Sequence, residues 1–205
     1  YFSAVFNAGG IPMATDLSGA KEIIKNADGI ILSGGGDIDA ELTGDVADKA
    51  TQGQVSRLRD EYEFELMKYA VKNNIPVLGI CRGMQVIGAY FGAHIIQHME
   101  GHKQKEEKNV PSHYVNVKDG TLLHKIIGEN RLKVNSYHHQ AVGKGFRGTI
   151  SAVSDDGFAE AVEPDGEAFI LGVQWHPELL TEYREHQTIF SEFIKAAAIK
   201  RRIAY

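Results

Sequence analysis

The chain has 205 residues, 43% hydrophobic and 24% charged, a composition that fits one globular domain with room for a substantial core. Its formal net charge of -5 gives no electrostatic reason to expect nucleic acid or an anionic membrane as a partner. A single cysteine excludes an intramolecular disulfide and suits a reducing, cytoplasmic setting, and no apolar run approaches the ~20 residues of a membrane span.

In chain order, residues 1–8 read as a helix end closed by Gly9-Gly10, and residues 11–14 as a short apolar strand. Residues 19–26 read as a helix leading into residues 29–33, a buried-strand pattern that runs into Gly34-Gly35-Gly36. Residues 37–56 are polar and irregular. Over residues 57–72 apolar side chains recur at helical spacing (Leu58, Tyr62, Leu66, Tyr69), with Asp60, Glu61 and Glu63 in the first turns, where the helix dipole favours acids. Residues 75–80 form an apolar strand, and helical spacing resumes over 83–91. Strand, glycine turn, helix and strand in that order imply parallel α/β layering. Further on, short strands are expected at 94–97 and 113–117, a helix at 121–127, and strands at 149–153, 159–162 and 169–174. A last amphipathic helix covers about 185–198, with Ile189, Phe190, Phe193 and Ile194 facing inward. With no repeat and no linker-like tract, residues 1–205 read as one domain.

A lone cysteine is ordinarily a small buried hydrophobe. Cys81, however, directly follows a strand and precedes Arg82-Gly83, where a helix starts. A strand-to-helix elbow presents such a residue at the end of a sheet, and Gly79 and Gly83 permit the tight turn. The helix N-terminus aims N–H groups at the sulfur, which favours the thiolate and can hold an oxyanion. A thiolate hydrolase also needs an imidazole and a group that fixes its tautomer. Of the nine histidines, His176 ends an apolar strand and has Glu178 two residues on, on the same side if the stretch is extended. A surface turn with an unrelated His and Glu fits the spacing equally well.

Gly34, Gly35 and Gly36 follow a buried strand, so in a parallel fold their amides reach the same sheet edge as Cys81. Paired with the Arg82 amide they would make an oxyanion hole. A glycine turn with no chemistry is the alternative, while a phosphate loop lacks its Lys-Ser/Thr. Residues 135–140 (Asn135, Ser136, Tyr137, His138, His139, Gln140) are a dense polar run that could line a pocket. His94, His98 and His102 stand four apart, but in a β-like stretch without a carboxylate in register, so no metal is assigned to them.

Residues 79–85 (Gly-Ile-Cys-Arg-Gly-Met-Gln) and His176-Pro177-Glu178 together resemble the class I glutamine amidotransferase superfamily. Matching segments at 8–12, 34–39, 59–60, 135–142 and 172–178 are similar to its stand-alone branch typified by γ-glutamyl-γ-aminobutyrate hydrolases. The resemblance implies a flavodoxin-like, doubly wound, mostly parallel sheet with helices on both faces and a small antiparallel section. It also implies a Cys81–His176–Glu178 triad, a γ-glutamyl-thioester intermediate and an oxyanion hole from Gly35, Gly36 and Arg82. Gln85, Asn135, Ser136, Tyr137, His138 and His139 fall where the family shapes its substrate pocket. The implied reaction is hydrolysis of a small γ-glutamyl amine or peptide, as in polyamine catabolism, without metal or cofactor and with a homodimer as the default assembly. A glutaminase subunit feeding ammonia to a synthase is the alternative; Arg82 and the Tyr-His-His-Gln run speak against it. Family members begin with a strand ahead of the helix matching residues 1–8, so a shortened copy of a longer protein is expected here. Ala40 replaces a common proline, with an expected effect on loop stiffness only.

Overall fold

A computed structural model describes residues 1–15, 19–166 and 168–203. Helices α1 (Phe2–Asn7) and α2 (Ala20–Ile23), the latter continued by a 3-10 turn, precede strand β1 (Ile30–Leu32). Helix α3 (Arg57–Asn73), strand β2 (Val77–Ile80) and helix α4 (Arg82–Tyr90) follow. The middle of the chain supplies β3 (Ile95–Ile96), β4 (His113–Val117), α5 (Leu122–Ile127), β5 (Arg131–Val134) and β6 (Ala141–Val142). Last come β7 (Gly148–Ser154), β8 (Ala159–Pro164), β9 (Ile170–Val173) and helix α6 (Arg184–Ile203).

Seven strands form one sheet in the order β1-β2-β9-β8-β7-β4-β5. β1, β2 and β9 run parallel, and the remaining four join by antiparallel pairing, a larger antiparallel section than the sequence suggested. β3 and β6 pair in a separate antiparallel ribbon. Strand periodicity divides the core. Leu78 and Ile80 of β2 face a layer with Val5, Trp175, Phe190 and Phe193, whereas Val77 faces one with Met67, Met84 and Ile87. Helices therefore cover both faces, as a parallel layer requires.

The strand expected at 11–14 does not form: Ile11 is 90% exposed and Met13 71%. Gly10 packs on Val5 and Ile194, and no strand lies beside the segment among the described residues. A four-residue run without a ladder has nothing to hold it extended. α3 also buries a different face from the one its apolar spacing indicated. Leu58 is exposed, while Asp60 and Glu63 are buried beside Met67 and Ala70. Of the three acids in the first turns, Glu61 is exposed, while Asp60 and Glu63 lie under the elbow.

That elbow needs glycine on both sides for reasons of space. A Cβ at Gly83 would come within 2.0 Å of the Leu32 carbonyl oxygen, and one at Gly79 within 2.5 Å of the Gly83 oxygen. The first turn of α4 thus rests on the backbones of β1 and β2, and Cys81 emerges where they meet.

Candidate active site

Cys81 has φ 55° and ψ −107°, a left-handed conformation that L side chains adopt at a cost of roughly 1–3 kcal/mol. Its N–H donates to the Val173 carbonyl oxygen at 2.8 Å, which ties the elbow to β9 and so to the strand that leads to His176. β2 and β9 pair in register from Val77↔Ile170 to Ile80↔Val173. Parallel neighbours end at the same edge, so residues that follow the two strands meet. The His176 imidazole stands beside Cys81, both closing on Gly34, and its Nδ1 meets the Glu178 Oε1 at 2.7 Å. Glu178 does not reach back along an extended stretch, as the sequence suggested. Pro177–Leu179 form a 3-10 turn, and the turn folds the carboxylate under the ring.

Burial works against the His176 imidazolium, but its hydrogen bonds to Cys81 and Glu178 and their negative charges outweigh it and raise its pKa to about 10. The ring is held further by its backbone. Asn135 Oδ1 accepts the His176 N–H at 2.8 Å, and Asn135 Nδ2 donates to the His176 carbonyl at 3.3 Å. Asn135 thus acts on the imidazole by clamping its peptide.

The glycine loop lies against this pair: a Cβ on Gly34 would meet His176 Cε1 at 2.9 Å and Cys81 Cβ at 3.6 Å. Arg59 Nη2 donates to the carbonyls of Ser33 (2.9 Å) and Gly34 (3.2 Å). In a trans peptide the N–H points opposite its carbonyl. Arg59 therefore turns the N–H groups of Gly34 and Gly35 away from α3, the Gly34 N–H donating to the Tyr1 hydroxyl at 2.9 Å. The Arg82 amide sits in the first turn of α4, where no helical carbonyl precedes it to accept its proton. Gly36 is drawn into the Asp37↔Val55 bridge, close to the Gln54 carbonyl.

The Arg82 guanidinium points under the site, ion-paired with Asp60 and Glu63, and Glu63 also takes Arg59 Nε at 2.8 Å. Arg82 and Asp60 side chains are 2% and 0% exposed. Removing one member of such a set leaves buried charge without a partner. Arg82→Met should therefore destabilise the protein by about 3 kcal/mol, read as a fall in the urea midpoint; an unchanged midpoint would mean the cluster contributes nothing to stability.

The other expected pocket residues divide. Gln85 is buried behind the site, donating to the Gln140 carbonyl at 3.2 Å and to Gln174 Oε1 at 3.3 Å. The Tyr137 ring stands edge-on to His176 with centroids 6.5 Å apart. His139 Nε2 meets Asp37 Oδ1 at 3.0 Å, bracing the residue that follows the glycines. The Ser136 N–H donates to Gln104 Oε1 at 2.6 Å. His138 goes elsewhere: its ring is buried against Glu160, with His102 and His113 around the same carboxylate. Tyr1 carries no motif of its own, and only its place beside Gly34 marks it; Arg59 lies in the matching 59–60 segment, but its contact with the glycine loop has no signal in the sequence.

Solved structures share this fold. The glutaminase domain of a Trypanosoma brucei CTPS, with acivicin bound, matches at a TM-score of 0.68 and 19% identity, covering 96% of this chain and 88% of that one. The chain thus has the fold of a class I glutamine amidotransferase. The Peptidase C26 family model matches residues 1–178, and the chain belongs to that family of hydrolases. A candidate glutamine amidotransferase of Schizosaccharomyces pombe is 35% identical over 205 residues, covering 95% of this chain and 79% of its own. The γ-glutamyl-γ-aminobutyrate hydrolase PuuD of Escherichia coli K12 is 32% identical over 218 residues, covering 96% and 84%. No helix among the described residues is long and apolar enough to cross a membrane.

Proposed function

We propose that the protein hydrolyses the γ-glutamyl amide bond of a small γ-glutamyl amine or peptide, with Cys81 as nucleophile, His176 as general base and acid, and Glu178 as its orienter. The observation that carries this reading is the His176–Glu178 hydrogen bond set beside Cys81 at the end of two in-register parallel strands. The Cys81 thiolate adds to the γ-carbonyl, and the oxyanion forms against the amides of Gly35 and Arg82, with Gly36 beside them. One such donor is typically worth ~10²–10³ in rate. The His176 imidazolium gives its proton to the leaving amine as the C–N bond breaks, leaving a γ-glutamyl thioester. Neutral His176 then takes a proton from water, and the resulting hydroxide adds to the thioester. The C–S bond breaks to restore the thiolate–imidazolium pair as the glutamate γ-carboxyl leaves and gives its proton to solvent. No metal or cofactor enters these steps, and residues 1–205 act as one domain in a reducing compartment, where Cys81 stays unoxidised. Tyr137 and His139, on the same loop as the Asn135 clamp, form the wall nearest the substrate in this reading.

The 32% identity to a γ-glutamyl-γ-aminobutyrate hydrolase supports that substrate class, with γ-glutamyl-γ-aminobutyrate as its leading member and polyamine catabolism as the setting. Purified protein should release glutamate from γ-glutamyl-γ-aminobutyrate, within a panel of γ-glutamyl amines, peptides and glutamine, with no partner added. Turnover of glutamine alone, slow until a cell extract is supplied, would replace the reading with an ammonia-donating subunit.

A further inference from the structure

Glu160 is wholly buried on β8, and three imidazoles converge on one of its oxygens. His102 Nε2 lies 3.0 Å from Glu160 Oε1, and the Nε2 atoms of His113 and His138 each lie 3.6 Å from it. The ligating atoms of His102, His113 and Glu160 all fall within 4.8 Å of one another. We propose that His102, His113, His138 and Glu160 bind a divalent transition metal of the zinc class in a closed, tetrahedral, structural site.

A hydrogen-bonded cluster without metal leaves too much unsatisfied. His113 Nε2, His138 Nε2 and Glu160 Oε2 are buried and have no hydrogen-bond partner. Each such atom has lost its water without gaining a partner, and one cation among the imidazole nitrogens and the carboxylate would serve the set together. Measured from Glu160 Oε1 the spacing suits it: metal–ligand distances of ~2.0–2.2 Å put tetrahedral ligand atoms about 3.3 Å apart, against 3.0 Å to His102 and 3.6 Å to each of His113 and His138. His102, His113 and Glu160 form the close trio, and His138 would draw in on it to complete the site. The far ring nitrogens support the same reading. Metal-binding histidines usually donate their other N–H to a carboxylate or a backbone carbonyl. His102 Nδ1 meets Asp156 Oδ2 at 2.8 Å, and His138 Nδ1 meets the Gln140 carbonyl at 3.0 Å. Three nitrogens and one oxygen, with no position left for water, match structural zinc better than magnesium or calcium. His113, with 23% of its side chain exposed, gives the ion a way in.

The four ligands come from the segment after β3, from β4, from the loop between β5 and β6, and from β8. A bound ion would pin the loop that carries Asn135 and Tyr137 without touching the thiol.

The experiment uses the full chain with Cys81→Ala, so that the thiolate cannot ligate. Protein is stripped with a chelator, incubated with zinc chloride, gel-filtered and assayed by atomic emission; a parallel sample takes cobalt(II). The expected result is one zinc per chain and the visible absorption of tetrahedral cobalt. Affinity should fall in Glu160→Gln and His113→Ala by more than the ~10–100-fold typical of losing an outer-shell partner. Folded protein that retains no zinc and shows no cobalt band overturns the proposal, as does unchanged affinity in both variants. The arm with all four ligands intact decides by itself, whether or not a variant folds.

Discussion

Cys81→Ala should lower kcat by a factor on the order of 10⁵–10⁶, as loss of the nucleophile does in a hydrolytic triad, or about 7–8 kcal/mol of barrier. Among the described residues no other group stands ready to replace the thiolate. Tyr1, whose hydroxyl lies against the same glycine loop, has its pKa raised, first by burial and then by Glu178, so it stays a protonated phenol. What survives the substitution is the scaffold. Alanine keeps the Cβ, so the elbow retains its φ of 55° and its N–H bond to Val173. The oxyanion donors of the proposed mechanism stay in place, so residual catalysis would come from them and from water on His176. Unfolding midpoints and affinity for a non-hydrolysable γ-glutamyl analogue should therefore match wild type while glutamate release disappears. A variant that keeps even a hundredth of the wild-type rate would remove Cys81 from the nucleophile's role, and the elbow would then be only a strained turn.

The elbow was legible in the sequence because every contact that makes it is local. An apolar strand, two glycines and a helix start are all read within residues 75–91. The register of β2 with β9, which brings His176 to Cys81, was only half legible: both strands can be seen, their adjacency cannot. Glu178 was found by the wrong geometry, since Pro177 begins a 3-10 turn where alternation along an extended chain had been assumed. The face of α3 was misread for a physical reason. Helical spacing of apolar residues marks the buried side only where burial is apolar, and here Asp60 and Glu63 are buried because Arg82, nineteen or more positions away, neutralises them. The Glu160 cluster was invisible for the same reason. Its four residues span positions 102 to 160; the sequence singled out His102 only in a row with His94 and His98, and His138 only as a pocket residue, whereas His94 pairs with Asp45 and His98 with His139. Long-range polar convergence has no period to read.

Glu178→Gln should lower kcat on the order of 10³-fold, because the amide can present an N–H to Nδ1 and so favour the wrong imidazole tautomer. The pH profile tests the role more sharply than the rate does. His176 must be an imidazolium to protonate the leaving amine, so kcat/KM falls on the alkaline side as that proton is lost. In the wild-type protein the limb should lie near pH 10, well above the ordinary 6.5, since Cys81 and Glu178 together overcome the effect of burial. Glutamine removes one of the two supporting charges while burial stays, so the limb should move down toward the ordinary value. Stability follows the same sign. A histidine whose folded pKa is raised adds stability that is full below about pH 6.5 and is lost as pH rises through about 10. Urea midpoints of the wild type should therefore decline over that window, and those of Glu178→Gln should decline less. An alkaline limb that does not move on substitution would mean that Glu178 neither orients nor charges the imidazole, and the triad would reduce to a cysteine–histidine pair held by the Asn135 clamp.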